Sequence, residues 1–150
     1  MPRLHILTIG YEGVSLTDFI ATLKAHRVRQ VLDVRELPMS RRKGFSKTAL
    51  SLALAGAGIS YTHERTLGTP RWLRHRLRED GDIAGFRKDF RKLLAARRPV
   101  LDSLAGSLSG RVVLLCYERN PAECHRSLVA AALARRTRAA VEHLDVPAIQ

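Results

Sequence analysis

Acidic residues are what this chain most lacks. Asp and Glu number 14 against 26 Lys and Arg, which leaves a formal net charge of +12. A surface so charged attracts polyanions, and nucleic acid is the commonest of these in a cytoplasm. A genomic bias toward arginine produces the same excess with no polyanion involved. Long apolar runs are missing too. No stretch approaches the roughly 20 residues needed to span a bilayer, and no signal peptide is recognisable. The expectation is therefore a cytoplasmic protein with no membrane partner. Cysteine is scarce: two in 150 residues do not make the disulfide framework of a secreted domain. Internal repeats, low-complexity tracts and linkers are absent, which argues against solenoids and multidomain arrangements.

What is present suffices for one domain over residues 1–150, because 45% of the residues are hydrophobic. His5 to Ile9 reads as a buried strand ending at Gly10. Ser15 caps a helix with Leu16, Phe19, Ile20 and Leu23 on one face, and Val14 and Phe19 stand at the positions of a hydrophobic staple. Gln30 to Val34 is a second strand, followed by a basic loop from Arg35 to Gly44. Ser46 caps a helix over about Lys47 to Ala55, ended by Gly56 and Gly58, and Ile59 to Thr62 is a third strand. His63 to Asp82 is an excursion with a short helix around Trp72 to Arg78. Helices follow over Ile83 to Ala96 and Val100 to Leu108, then a strand over Arg111 to Leu115. Asn120, Pro121 and Glu123 carry the cap, first-turn and capping-box signals of a helix from Pro121 to about Arg136. A last strand covers Ala139 to Leu144. Strands alternating with helices predict an α/β fold, a single domain with a mostly parallel sheet of about five strands flanked by helices on both faces.

In such sheets ligands bind beyond the carboxyl ends of the strands, so the residues that follow each strand define the candidate site. Tyr11 follows the first strand. Asp33, Arg35, Ser40 and Arg41 follow the second, and His63 the third. Cys116, Glu118, Cys124, His125 and Arg126 follow the fourth. Two thiols, a carboxylate, an imidazole and a guanidinium within eleven residues exceed what a plain connection requires.

These segments resemble one known family. Thr8-Ile9-Gly10-Tyr11, Asp33-Val34-Arg35, Pro38-Met39-Ser40-Arg41, Phe45, Leu67-Gly68, Cys116-Tyr117-Glu118 and Pro121-Ala122-Glu123-Cys124-His125-Arg126 match, in order, the pattern of the DUF488 family, a domain of unknown function. The resemblance implies a small α/β domain with these motifs around a shared pocket, and it brings no settled activity. The chain departs from the family at Thr69, where a second glycine often follows Leu67-Gly68.

The chemistry must therefore be read from the residues. The start of the expected Pro121 helix is an anion site in the making, with Arg126, Arg35 and Arg41 to complete a clamp and Ser40 and His125 to add donors. The structural alternative is that Arg126 pairs with Glu118 or Asp33. Asp33 and Glu118 are candidate general bases, although Asp33 beside Arg35 also suits an ion pair that holds the loop. Tyr11 can donate a hydrogen bond in the cleft or stack on a base. Cys124 is open to three readings: a buried inert thiol, a nucleophile activated at a helix start, or a metal or redox ligand. Three missing patterns narrow the choice. Cys-x5-Arg is absent from both cysteines, which removes the usual phosphatase mechanism. Gly-x-Gly-x-x-Gly is absent near Gly10 and Gly13, which removes a dinucleotide fingerprint. Cys-x-x-Cys is absent as well. A zinc set of Cys116, Cys124 and His125 with His63 or His5 is disfavoured, because adjacent residues on a helix point apart; no metal and no cofactor is assigned.

The sequence thus predicts a hydrolase or transferase with a phosphate-binding cleft, acting on a nucleotide or nucleic-acid substrate. Asp33, Glu118, Cys124 and Tyr11 are its candidate catalytic residues, and Arg35, Ser40, Arg41, His125 and Arg126 hold the anion. A non-catalytic nucleic-acid-binding protein is the alternative, and a thiol redox or metal protein a third.

Overall fold

Apolar strands with both faces buried need a layer of helices on each side, and the chain supplies both. The computed structural model describes residues 2–146; residue 1 and residues 147–150, the ends of the expected domain, lie outside the described residues. The elements run β1 (His5–Gly10), α1 (Leu16–Ala25), β2 (Gln30–Asp33), α2 (Lys47–Gly56), β3 (Ser60–His63), α3 (Arg71–Asp80), α4 (Ile83–Ala96), α5 (Arg98–Ser107), β4 (Arg111–Cys116), α6 (Arg126–Thr137) and β5 (Val141–His143). The five strands form one parallel sheet in the order β3-β2-β4-β1-β5.

This order follows from the handedness of parallel crossovers. The chain first moves from β1 to β2 to β3, which sets α1 and α2 on one face. It then reverses to enter β4 between β2 and β1, so α3 to α6 fall on the other. Alternate residues divide accordingly. Leu7, Ile9, Val31, Val113 and Leu115 pack with Phe19, Leu23, Leu50 and Leu54 on the first face. Ile6, Leu32, Val112 and Leu114 pack with Leu73, Phe86, Phe90, Leu94, Leu101, Val129 and Leu133 on the second. Each large side chain so buried contributes about 1.5–3 kcal/mol relative to exposure.

The capping signals are partly realised. The Ser15 side chain accepts a hydrogen bond from the Asp18 N–H at 3.1 Å, and Val14 and Phe19 are fully buried. Ser46 occupies the N-cap of α2, but its hydroxyl holds the preceding loop instead, accepting from the Ser40 N–H at 3.0 Å. The short helix of the excursion starts one residue before and ends two residues after its expected bounds, with Gly81 at φ +63° as its C-cap.

One expected element is corrected. No continuous helix starts at Pro121. Asn120 caps a single 3-10 turn over Pro121–Glu123, accepting from the Ala122 N–H at 3.0 Å. Cys124 is then extended (φ −124°, ψ 144°), and α6 begins only at Arg126. The extended residue turns the Cys124 side chain inward to Cys116, where both are buried; a helix through this point would not place it there.

Candidate functional site: a cleft at the carboxyl ends of β1, β2 and β4

Insertion of β4 between β1 and β2 brings three strand ends side by side, and the chain reverses direction across the sheet there. A cleft of about 790 Å³ opens over these ends, roofed by the Glu36–Arg42 loop and by α3. Two glycines let its walls close. A Cβ on Gly10 would stand 1.9 Å from the Glu118 carbonyl oxygen, so only glycine lets the loop after β4 lie on the end of β1. A Cβ on Gly68 would stand 2.3 Å from the Glu36 nitrogen, which explains the Leu67-Gly68 pair in the same way.

Among the residues expected from sequence, Tyr11, Arg35, Ser40, Arg41, Glu118, Cys124 and His125 line this cleft. Asp33 and Arg126 are fully buried beneath it. The Asp33 carboxylate receives Arg35 Nη2 at 2.7 Å and Nε at 2.9 Å, the Arg35 N–H at 3.1 Å and the Tyr61 hydroxyl at 2.5 Å. Arg35 Nη1 also donates to the Phe45 carbonyl at 2.7 Å and to Tyr11 Oη at 3.1 Å. Burial disfavours the Arg35 cation, but the Asp33 carboxylate outweighs it and holds the guanidinium charged. Four of its five N–H bonds therefore have protein acceptors. Asp33 and Arg35 act as a bracket that ties β2 to β3 and to the basic loop. Tyr11 stacks on Phe45 with ring centroids 4.5 Å apart and meets Tyr117 edge-on at 5.4 Å.

The corner at the end of β4 is built differently. Cys116 and Cys124 are joined as a disulfide, with Cα atoms 7.2 Å apart. His125 Nε2–H donates to the Val34 carbonyl at 2.6 Å, which fixes the tautomer and turns Nδ1 toward Cys124 Sγ at 3.7 Å. Burial pushes the imidazole down to about 4, so it is neutral near pH 7. Arg126 donates to the Glu118 carbonyl, to the Arg119 carbonyl at 3.0 Å and to Cys116 Sγ at 3.3 Å. Its Nε has no acceptor, and it forms no carboxylate ion pair among the described residues. Burial lowers its pKa to about 10, with the Glu118 charge acting in the opposite sense. The Glu118 carboxyl reaches toward Cys116 Sγ, 3.6 Å from Oε2, and burial raises its pKa above the usual carboxylate value.

Sequence reasoning missed part of the cleft. Arg74 and Arg78, with Leu77 between them, line it from α3. Their i, i+4 spacing in the Arg71–Arg78 run placed them on one helix face, a signal present in the sequence. Arg74 is tied to Glu36 at 3.2 Å. Arg42 is tied to the Val14 carbonyl at 2.6 Å. Arg41 and Arg78 are exposed and form no ion pair among the described residues. Met39 and Tyr117, 74% and 45% exposed, present apolar surface at the mouth. Thr69, where the family often has glycine, is buried in the cleft wall with its hydroxyl unpartnered. His63 instead contacts the Arg35 carbonyl at 2.7 Å, and His5 sits at the opposite end of β1, so neither joins the sulfurs.

Fold and site together define a parallel α/β protein with a basic cleft over a sulfur, imidazole and carboxylate corner. The chain belongs to the family described as Domain of unknown function DUF488, whose model matches residues 15–133. No curated protein and no solved structure matches it.

Proposed function

We propose that the cleft is the active site of a hydrolase or transferase whose substrate carries phosphate, a nucleotide or a segment of nucleic acid. The observation that carries this reading is the placing of two exposed cations with no ion pair among the described residues, Arg41 and Arg78, on the rim of a cleft whose floor holds Glu118, Cys124 and His125. Exposed guanidiniums suit phosphate oxygens. The Tyr117 ring at the mouth offers a face on which a base can stack. Burial raises the Glu118 pKa above the usual carboxylate value, which suits a group that gives and takes a proton. In this reading Arg35, Asp33 and Arg126 are positioning residues. They set the cleft walls, while Tyr11 contributes its phenol at the base.

The charge of +12 favours the second reading, a nucleic-acid-binding protein with no turnover. Hydrolysis and binding assays on a panel of nucleoside triphosphates and single-stranded oligonucleotides separate the two. For an enzyme, Glu118→Gln abolishes turnover and leaves binding intact. The double variant R41A/R78A weakens binding and lowers the slope of log K against log salt by about two phosphate contacts. Binding that is unchanged in R41A/R78A, with no turnover of any substrate, would overturn the proposal.

A further inference from the structure

Four observations at the β4 corner bear on what the two sulfurs do. First, Cys116 Sγ, Cys124 Sγ and His125 Nδ1 all lie within 4.8 Å of one another, in residues that are 1%, 1% and 6% exposed. Second, the His125 ring is oriented for a ligand: Nε2–H is held by the Val34 carbonyl at 2.6 Å, and the free Nδ1 lone pair faces the sulfurs. A backbone carbonyl on the remote ring nitrogen is the usual support of a metal-bound imidazole. Third, Arg126 is fully buried, with no carboxylate bonded to it among the described residues and with Nε unpartnered there, and it donates to Cys116 Sγ at 3.3 Å. A buried cation with no hydrogen-bonded counter-charge is unfavourable; once the pair is reduced, an anionic sulfur beneath it adds to the Glu118 charge. Fourth, the two sulfurs are joined across Cα atoms 7.2 Å apart, wider than the roughly 4.4–6.8 Å over which disulfides normally close. Reduction of the pair frees both sulfurs to share an ion.

We propose that Cys116, Cys124 and His125 Nδ1 form a binding site for one thiophilic divalent cation, Zn2+ by ligand chemistry, with an open position that faces the cleft beside Glu118. Two thiolates and an imidazole select Zn2+ over Mg2+ or Ca2+, which take oxygen ligands. Three protein ligands with a vacant fourth position are the mark of reactive zinc sites, whereas structural sites are closed by four. The geometric objection, that neighbouring side chains on a helix diverge, does not apply. Cys124 is extended and only His125 enters the helical turn, so both side chains face Cys116. Arg126 is then a positioning residue that holds Cys116 as thiolate and fixes the loop through the Glu118 and Arg119 carbonyls. Phe90, edge-on to the imidazole at 5.2 Å, closes the far side.

The test is a titration of the reduced, metal-free full-length protein with Co2+ and then Zn2+, with no nucleotide present, so that its outcome is independent of what the cleft binds. The expected result is one ion per chain, thiolate-to-cobalt charge-transfer bands, and loss of those bands when Zn2+ is added. Cys116→Ser and Cys124→Ser should each abolish the charge-transfer signature or halve its intensity with weakened binding. Arg126→Met should keep the stoichiometry and weaken affinity about 10–100-fold, as expected for an outer-shell partner. The wild-type titration needs no variant to fold, so it decides alone. Absence of the charge-transfer bands would overturn the proposal, as would bands that persist in the C116S/C124S double variant. Rapid closure of the reduced pair to a disulfide in the presence of excess Zn2+ would also overturn it, and would assign the pair to thiol redox chemistry.

Discussion

Two arginines are buried at adjacent strand ends, and they are neutralised in different ways. Arg35, after β2, has the Asp33 carboxylate at 2.7 Å and protein acceptors for nearly all its donors. Arg126, after β4, has two carbonyls and a sulfur, but no carboxylate bonded to it among the described residues. Desolvation acts on both. It is outweighed at Arg35, whose pKa rises, and prevails at Arg126, whose pKa falls to about 10. A buried cation that carries its own counter-charge is part of the architecture. One that lacks it marks a place where the fold tolerates an unfavourable charge for the sake of something bound or ionised nearby, and here the neighbours are Cys116 and Glu118.

The sharpest way to break the comparison is to remove the Arg35 counter-charge. Asp33→Asn leaves a buried guanidinium facing a neutral amide and deprives Tyr61 of its acceptor. Loss of one partner of a buried pair costs about 3–5 kcal/mol, so urea unfolding at pH 7 should show a midpoint well below that of the wild type. A loss under 1 kcal/mol would mean that water reaches Arg35, and the bracket would not be structural.

Arg126 should behave otherwise. In the reduced, metal-free protein Arg126→Met removes a cation that is already poorly compensated, along with its bonds to two carbonyls. Hydrogen bonds from charged donors contribute about 1.5–3 kcal/mol, and relief of the unpaired buried charge offsets part of that loss. The expected destabilisation is about 1–2 kcal/mol, clearly below that of Asp33→Asn. Equal losses in the two variants would erase the distinction drawn between them.

The sequence made the β2 bracket easier to read than the β4 corner, for a physical reason. Asp33 and Arg35 are two residues apart at a strand end, so their pairing is local and was foreseen as an alternative to catalysis. The strands and α4 were legible in the same way, because an apolar period reports directly on burial. At the corner, Asn120, Pro121 and Glu123 carry local signals for a helix, and the first two operate, but over one 3-10 turn. What ends the turn is side-chain contact outside it: Cys124 is drawn to Cys116, Arg126 to the loop after β4, and His125 to the Val34 carbonyl 91 positions away. Local propensity contains none of these contacts. The Arg74 and Arg78 side of the cleft was legible by half: their spacing puts them on one helix face, but only the packing of α3 decides which of its faces looks inward.

The smallest effect sharpens the comparison at its edge. The Tyr61 hydroxyl donates to the same Asp33 carboxylate that holds Arg35. Burial raises its pKa above the ordinary value of 10.0, and the hydrogen bond and charge of Asp33 raise it further. The folded state thus keeps this proton at pH values where an unfolded chain has begun to lose it. A raised folded-state pKa contributes stability that is full below about pH 10 and is lost as pH climbs toward the folded value. Unfolding free energy should therefore be flat in this respect from neutrality to about pH 9 and decline above it. Tyr61→Phe should cost about 1 kcal/mol at pH 7, a single hydrogen bond, and should flatten the alkaline decline. Because Arg35 remains paired in Tyr61→Phe, the loss must stay well short of that in Asp33→Asn. An alkaline decline as steep in Tyr61→Phe as in the wild type would assign it to other groups and detach Tyr61 from the bracket.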